Sequence, residues 1–121
     1  MTAWAPGLRE RFAAAREIEI LTGAANEHHA IIWVVVDPLG RALVRSVNGP
    51  AARWYREARA YPDPVIRLDG EVIAVRAEPA IDDERIAACS DALRAKYGNS
   101  SSVASMLREH TLATTLELVP R

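Results

Sequence analysis

A hairpin signal in the middle of the chain constrains the fold more than any other feature of the sequence. Two apolar segments, Val65–Leu68 and Glu71–Ala77, are separated only by the dipeptide Asp69-Gly70. Asp-Gly is favoured in two-residue hairpin turns because both positions need a positive φ, which glycine adopts freely and aspartate tolerates. The sequence therefore predicts two antiparallel strands at this point of the chain.

More strands are predicted on either side of this hairpin. The segment Ile31–Val36 is dense in β-branched residues, which predicts one strand buried on both faces. The turn Asp37–Gly40 has proline and glycine where turns favour them, so Ala42–Val47 is expected to pair back as the hairpin partner. Apolar and polar residues alternate in Glu17–Leu21 and Thr114–Val119, which predicts half-buried strands.

Helices are predicted between and beside these strands. Gly7–Ala15 and Ala51–Ala60 have helical patterns, and a long helix begins after Asp82 and ends at Gly98. Val103–Leu107 is a further short helix. Strand pairs with helices between them predict an α+β fold, in which about six short strands form a small barrel or a strongly curled, largely antiparallel sheet.

Composition and charge exclude several classes of protein. With 121 residues, 50% of them hydrophobic, the chain is expected to fold as a single domain over residues 1–121. Its net charge of −1 argues against general affinity for nucleic acid, and its longest apolar run, Ala30–Val36, is too short for a membrane span. The single cysteine, Cys89, excludes an internal disulfide. The first residues lack a secretion signal, so a cytoplasmic location is expected.

The segment from Arg45 to Tyr55 is the strongest candidate for a binding site. A strand ends at Arg45-Ser46, a polar turn holds Asn48-Gly49, and an arginine-rich helix with Trp54-Tyr55 follows. Such a turn can present backbone N–H groups, an amide and a guanidinium to one anionic ligand. The alternative is a turn with backbone roles only, beside a surface Arg45 and a structural Ser46.

Two further groups of side chains are candidates for ligand contact or chemistry. Trp54 and Tyr55 lie about 100° apart on a helix, so one is expected in the core and the other, Tyr55, at a ligand. His28 and His29 are either an exposed loop pair or, with Glu27 to orient them, groups for proton transfer. Neighbouring histidines diverge and no third ligand is suitably spaced, so no metal site is predicted.

One run of segments is shared with a known superfamily. It consists of the strands Ile32–Asp37 and Ala42–Ser46, the turn Asn48–Pro50 and the pair Trp54-Tyr55. This order resembles the split β-barrel proteins that bind flavin or deazaflavin. The spacing onward to Pro62 and Asp69-Gly70 is similar to the deazaflavin-dependent nitroreductase branch. The tail, from Ala95 to Pro120, looks like an uncharacterised bacterial family of unknown function, DUF2255.

The resemblance implies a fold, a cofactor, a partner and an activity. It implies a small, largely antiparallel split β-barrel that forms a homodimer, with FMN or a deazaflavin at the subunit interface. The implied activity is a nitroreductase-like oxidoreduction of a small organic molecule, in which the cofactor carries the hydride. The implied binding residues are Arg45, Ser46, Asn48 and Gly49 at the phosphate, and Trp54 and Tyr55 near the ring.

One segment departs from the nitroreductase pattern. Those proteins carry a basic Arg-Lys-Ser-Gly-like segment in the first hairpin, where this chain has Thr22–His29 without lysine or arginine. Two missing cations remove charge-assisted hydrogen bonds of about 1.5–3 kcal/mol each. This departure favours a second hypothesis on the same barrel: a cofactor-free small-molecule binding protein, or an acid–base enzyme that uses His28, His29 or Tyr55.

Overall fold

The computed structural model describes residues 3–121, which form seven strands, five α-helices and one 3₁₀ segment. The strands are β1 (Ile18–Thr22), β2 (His28–Ile32), β3 (Val35–Val36), β4 (Ala42–Val44), β5 (Val65–Leu68), β6 (Glu71–Pro79) and β7 (Leu116–Pro120). The helices are α1 (Pro6–Ala14), α2 (Arg53–Ala60), α3 (Asp83–Tyr97), α4 (Ser101–Met106) and α5 (Glu109–Leu112), and the 3₁₀ segment is Gly49–Ala51. None of the helices within residues 3–121 has both the length and the apolar character needed to cross a bilayer.

All seven strands belong to one antiparallel sheet in the order β2-β1-β5-β6-β7-β4-β3. The long strand β6 joins its two halves, since Glu71–Ala74 pairs with β5 and Val75–Pro79 pairs with β7. Only Trp33-Val34 separates the two edge strands, β2 and β3, along the chain. The Cα atoms of Ile32 and Val35, three residues apart, can be separated by at most about 11 Å, so the edges of the sheet lie close together and the sheet is curled into a half-barrel.

The predicted α+β fold, with an antiparallel curled sheet and flanking helices, is confirmed, and the sheet has seven strands rather than about six. The prediction of one strand over Ile31–Val36 is wrong. The segment divides at Trp33-Val34 into the end of β2, which pairs with β1, and β3, which pairs with β4. It is not buried on both faces either, because Ile31 lies on the outer side of an edge strand and is 61% exposed.

The β5–β6 turn and the ends of α3 lie where the sequence predicts them. Asp69 and Gly70 have φ values of 52° and 81°, and the register pairs Leu68 with Glu71, so the β5–β6 turn holds two residues. The Asp82 carboxylate accepts the Arg85 N–H at 3.1 Å and caps α3, which ends at Gly98. The hairpin and the long helix are therefore confirmed.

The core divides into two parts around the sheet. The larger part contains Phe12, Ile20, Ile66, Leu116 and Leu118, all fully buried. The smaller part, which includes Leu43, Cys89 and Leu93, lies between β3, β4 and α3. Burial raises the pKa of the Cys89 thiol to about 11, so this side chain packs as an uncharged group.

The first described residues pack against the last strand. The Trp4 indole N–H donates to the Leu118 carbonyl at 2.7 Å. The ring of Trp4 meets Phe12 of α1 edge to face, with 5.0 Å between ring centroids. These contacts connect α1 and the segment before it to β7.

Candidate functional site

A cavity of about 420 Å³ opens where β2 ends, β4 ends and α4 begins. Two indoles, Trp33 and Trp54, form part of its wall. The other lining residues include the apolar Ile31 and Val47, the polar Asn48, Ser102 and Ser105, the acidic Glu17, and Arg45. The cavity therefore combines flat aromatic surface with a few hydrogen-bonding groups.

The indole of Trp33 is held in place from α3. It stacks on the ring of Tyr97, with 3.9 Å between centroids and 15° between planes. The Tyr97 hydroxyl donates to the Arg16 carbonyl at 2.7 Å. Trp33 occupies the break between β2 and β3, where the chain leaves one edge of the sheet for the other. The fold therefore fixes one aromatic wall of the cavity before any ligand binds.

The guanidinium of Arg45 is buried beneath the cavity, with a residue exposure of 1%. Its Nε donates to Thr115 Oγ1 at 2.9 Å, and Nη2 donates to the Ile86 carbonyl at 3.0 Å. Its Nη1 donates to Ser90 Oγ at 3.0 Å and to the Met106 carbonyl at 3.1 Å. No carboxylate in residues 3–121 forms an ion pair with it, and burial lowers its pKa from the ordinary value. Arg45 is therefore neither a surface residue nor a free cation.

Hydrogen bonds of Ser46 hold the shape of the turn after β4. Ser46 Oγ donates to the Gly49 carbonyl at 2.8 Å, and the Ser46 N–H donates to Thr114 Oγ1 at 3.0 Å. Gly49 has a φ of +68°, and a Cβ there would lie 2.6 Å from His110 Cδ2. Glycine is required at this position for both reasons. Asn48 is exposed and lines the cavity.

Both rings of the aromatic pair on α2 are buried in the larger part of the core, and only Trp54 also reaches the cavity. Tyr55 does not, and its buried hydroxyl lies 3.4 Å from the Ala113 carbonyl and 3.5 Å from Arg59 Nη1. Of the six predicted binding residues, Arg45, Asn48 and Trp54 line the cavity, while Ser46, Gly49 and Tyr55 are buried beside it. Whether any of them binds a ligand stays a prediction.

The two histidines lie on β2 rather than in a loop. His29 is exposed, and its Nδ1 lies 2.9 Å from Glu19 Oε2, so Glu19 and not Glu27 is its carboxylate partner. The hydrogen bond from His29 and the charge of Arg67 hold the pKa of Glu19 below its usual range. His28 and His29 do not line the cavity. Residues 3–121 contain no group of three or more His, Cys, Asp or Glu side chains that could hold a metal ion.

Sequence reasoning missed Trp33 and the serines of α4 as parts of this wall. Ser100 caps α4, and Ser102 and Ser105 line the cavity. The available signal was a tryptophan inside an otherwise β-branched run.

The sequence matches a family model described as an uncharacterized protein conserved in bacteria (DUF2255), over residues 9–118. This chain belongs to the DUF2255 family. The predicted resemblance to DUF2255 is therefore confirmed, while the flavin chemistry of the wider superfamily stays a prediction. A search of curated proteins finds no match.

Solved structures show where else the fold of this DUF2255 protein occurs. A protein of unknown function from Agrobacterium tumefaciens has 14% identity and a TM-score of 0.69, covering 92% of this chain and 50% of its own. A conserved hypothetical protein from Mycobacterium tuberculosis has 13% identity and a TM-score of 0.69, covering 99% of this chain and 81% of its own.

The heme storage protein HutZ from Vibrio cholerae has 13% identity and a TM-score of 0.70, covering 98% of this chain and 91% of its own. The DUF2255 chain thus spans half the length of the Agrobacterium protein and most of the other two. At such identities the similarity shows the fold alone.

Proposed function

We propose that this DUF2255 protein binds a small, flat, uncharged organic molecule against the indoles of Trp33 and Trp54. The observation that carries the proposal is the cavity of about 420 Å³ with these two indoles in its wall. Its volume lies within the range of small-molecule sites. Aromatic walls favour flat ligands because ring faces and edges pack at well-defined distances.

The polar groups of the wall would orient such a ligand. The Asn48 amide supplies both donors and acceptors at the open side of the cavity. Ser105 Oγ donates to the Ser101 carbonyl at 3.1 Å, so its lone pairs stay available to accept a hydrogen bond. Ser102 adds a second hydroxyl. A few hydrogen bonds in a largely apolar cavity are the usual source of specificity in small-molecule sites.

The charges argue against a phosphorylated flavin. Four Arg45 N–H groups are already directed to protein acceptors, and Glu17 adds a carboxylate at the rim. No other lysine or arginine in the described chain lines the cavity. A flavin ring is flat enough to pack on the aromatic wall, but the phosphate of FMN or of a deazaflavin would meet only the hydrogen-bonded Arg45 as a cation there. We therefore derive no hydride transfer from this site, and the oxidoreductase hypothesis depends on flavin binding being measured.

The lining residues support haem binding and acid–base catalysis less well than they support binding of a flat organic molecule. A haem iron needs an axial ligand from histidine, cysteine, methionine or tyrosine, and of these only the buried Met106 lines the cavity in the described chain. The similarity to HutZ therefore concerns the fold and does not include side chains that could ligate a haem iron. The candidate proton-transfer groups His28, His29 and Tyr55 lie outside the cavity wall, which favours a binding protein over an acid–base enzyme.

Tryptophan fluorescence tests the proposal directly. The protein is titrated with riboflavin, FMN and hemin, and quenching of the Trp33 and Trp54 indoles reports binding. We expect riboflavin to bind with a Kd on the order of 10 μM, FMN to bind no more tightly, and hemin to give no Soret shift typical of ligated iron. No quenching by riboflavin up to about 1 mM would contradict a site for flat molecules.

Two adjacent serines of α4 provide a matched control. Ser102 lines the cavity, whereas its neighbour Ser101 is exposed and does not. We expect Ser102→Phe to weaken riboflavin binding by about tenfold or more because the ring fills the cavity, and Ser101→Phe to leave it unchanged. Equal weakening in both variants would place the binding site elsewhere. FMN binding about tenfold tighter than riboflavin would overturn the argument against a phosphate.

A further inference from the structure

Lys96 is the only lysine of the chain. Of the 15 lysine and arginine side chains, fourteen are arginines. A guanidinium does not lose its proton in proteins, whereas a lysine amine can become neutral and nucleophilic. Lys96 is therefore the only side-chain primary amine of the chain, the group that condenses with a simple aldehyde to an imine.

Lys96 lies in a groove that is distinct from the indole cavity. The groove has a volume of about 500 Å³ and is bounded by α1, β3 with the turn after it, and α3. It shares no lining residue with the cavity. Most of its wall is apolar and small, and includes Ala13, Val36, Pro38, Ala92 and Ala95. Such a wall accommodates an apolar molecule next to the amine.

Two backbone carbonyls hold the Lys96 amine. Nζ donates to the Val34 carbonyl at 2.6 Å and to the Phe12 carbonyl at 3.0 Å. A neutral amine has two N–H bonds and one lone pair, so these acceptors can hold both hydrogens and leave the lone pair free to react. No carboxylate in residues 3–121 forms an ion pair with Lys96.

The titratable groups around the Lys96 amine do not cancel the effect of burial on its pKa. Asp37 and Asp91 line the same groove, but Asp37 is paired with Arg41 at 2.6 Å and Asp91 with Arg94 at 3.2 Å. The Tyr97 ring centroid lies 5.2 Å from Nζ. Burial lowers the pKa of Lys96 to about 8, so a substantial fraction of the amine is neutral near physiological pH.

We propose that Lys96 is a reactive amine that captures a small apolar aldehyde in this groove as an imine. The Nζ lone pair attacks the carbonyl carbon, and the carbonyl oxygen takes up a proton to give a carbinolamine. Loss of the hydroxyl as water and of the second amine hydrogen as a proton then gives the C=N bond. One amine and one aldehyde thus yield one imine and one water, and no oxidant or reductant takes part.

Trapping with benzaldehyde and cyanoborohydride tests this inference, because the hydride makes the imine permanent. Peptide mapping by mass spectrometry separates labelling at Lys96 from labelling at the Met1 amine, and Nα-acetyl-lysine amide in the same solution gives the reference rate. We expect Lys96 to react about tenfold or more faster than the reference near neutral pH, with a midpoint near pH 8 and a rate that saturates with benzaldehyde.

Three outcomes would overturn the inference. In the first, Lys96 of the folded chain reacts no faster than the reference amine. In the second, it reacts no faster than Lys96 of the urea-unfolded chain. In the third, its rate rises linearly with benzaldehyde and never saturates. Any of these results would leave Lys96 with the structural role of holding the Phe12 and Val34 carbonyls.

Two alanines of α3 separate binding in the groove from structural damage. Ala95 is exposed and lines the groove, while Ala87 is exposed on the same helix and does not. Methionine is compatible with a helix at both positions. We expect Ala95→Met to slow labelling of Lys96 about tenfold at an unchanged Tm, and Ala87→Met to have no effect. The same rate in both variants would show that the groove does not bind the aldehyde.

Discussion

The Arg45 guanidinium joins parts of the molecule that are far apart in the sequence. It binds the Ile86 carbonyl and the Ser90 hydroxyl of α3, the Met106 carbonyl that ends α4, and the Thr115 hydroxyl before β7. A buried cation without a counter-ion is tolerated only while such acceptors surround it. Removing the side chain therefore leaves several buried polar groups unpaired at once.

Replacing Arg45 with alanine should destabilise the protein strongly. We expect the free energy of unfolding to fall by about 3–5 kcal/mol, because both the packing and the hydrogen bonds of the side chain are lost. Urea denaturation followed by circular dichroism measures this. Arg94→Ala is the control, since its ion pair with Asp91 is exposed and its loss should change stability by less than about 0.5 kcal/mol. Similar losses in the two variants would contradict the structural role of Arg45.

Sequence reasoning identified Arg45 as special but could not find its partners. Alternation along a strand shows only that Arg45 and Ser46 leave opposite faces. The groups that hold the guanidinium lie 41 to 70 residues away, at Ile86, Ser90, Met106 and Thr115. No local pattern encodes such contacts, so a buried arginine and a ligand-binding arginine have the same sequence signature.

At the scale of elements, the β5–β6 hairpin depends on the backbone of Gly70. Its φ is +81°, and nothing lies within 4 Å of a Cβ built there. Valine at this position should therefore cost conformational strain rather than a clash, and lower the free energy of unfolding by about 1 kcal/mol or more. Gly7→Val in α1 is the control, because Gly7 also has open space but no positive φ. Equal thermal midpoints for both variants and the wild type would contradict this expectation.

The elements that were predicted correctly are those with a local chemical signal. Asp69-Gly70 determines its turn, and Asp82 and Gly98 mark the ends of α3. The run Ile31–Val36 has no such signal at its middle, so its β-branched residues indicate strand without indicating where pairing changes. The division at Trp33-Val34 follows from the strand order of the whole sheet, which places β2 and β3 at opposite edges, and from the curl that brings these edges close together.

At the scale of the molecule, the outer face of the sheet carries apolar side chains with no cover. Ile31, Glu19, Arg67 and Val72 form one cross-strand row over β2, β1, β5 and β6. The two ends of the row are apolar, with Ile31 61% and Val72 56% exposed. In the middle, Glu19 pairs with Arg67 and His29, so little charge is left unpaired on this face.

We propose that this face, together with the segment Ala51–Ala60 that contains α2, forms a homodimer interface. Light scattering at micromolar concentration should give about twice the 13.3 kDa chain mass, because burial of Ile31 and Val72 favours association. The double variant Ile31→Glu/Val72→Glu should be monomeric. Leu39→Glu, at an exposed residue in the β3–β4 turn, should stay dimeric. A monomeric wild-type protein at these concentrations would exclude this interface.

The bond between the Trp4 indole and the Leu118 carbonyl makes the path of the chain nearly a closed loop. Because the Trp4 side chain already reaches β7, a linker from this segment to the end of β7 would have only a short distance to span. The chain could then be opened at the exposed Asp69-Gly70 turn, with every strand keeping its neighbours in the sheet. A Cβ at Gly70 would meet nothing there, and the Asp69 carboxylate makes an exposed ion pair, 3.9 Å from Arg11 Nε. We therefore expect a circularly permuted gene that begins at β6 to encode the same half-barrel.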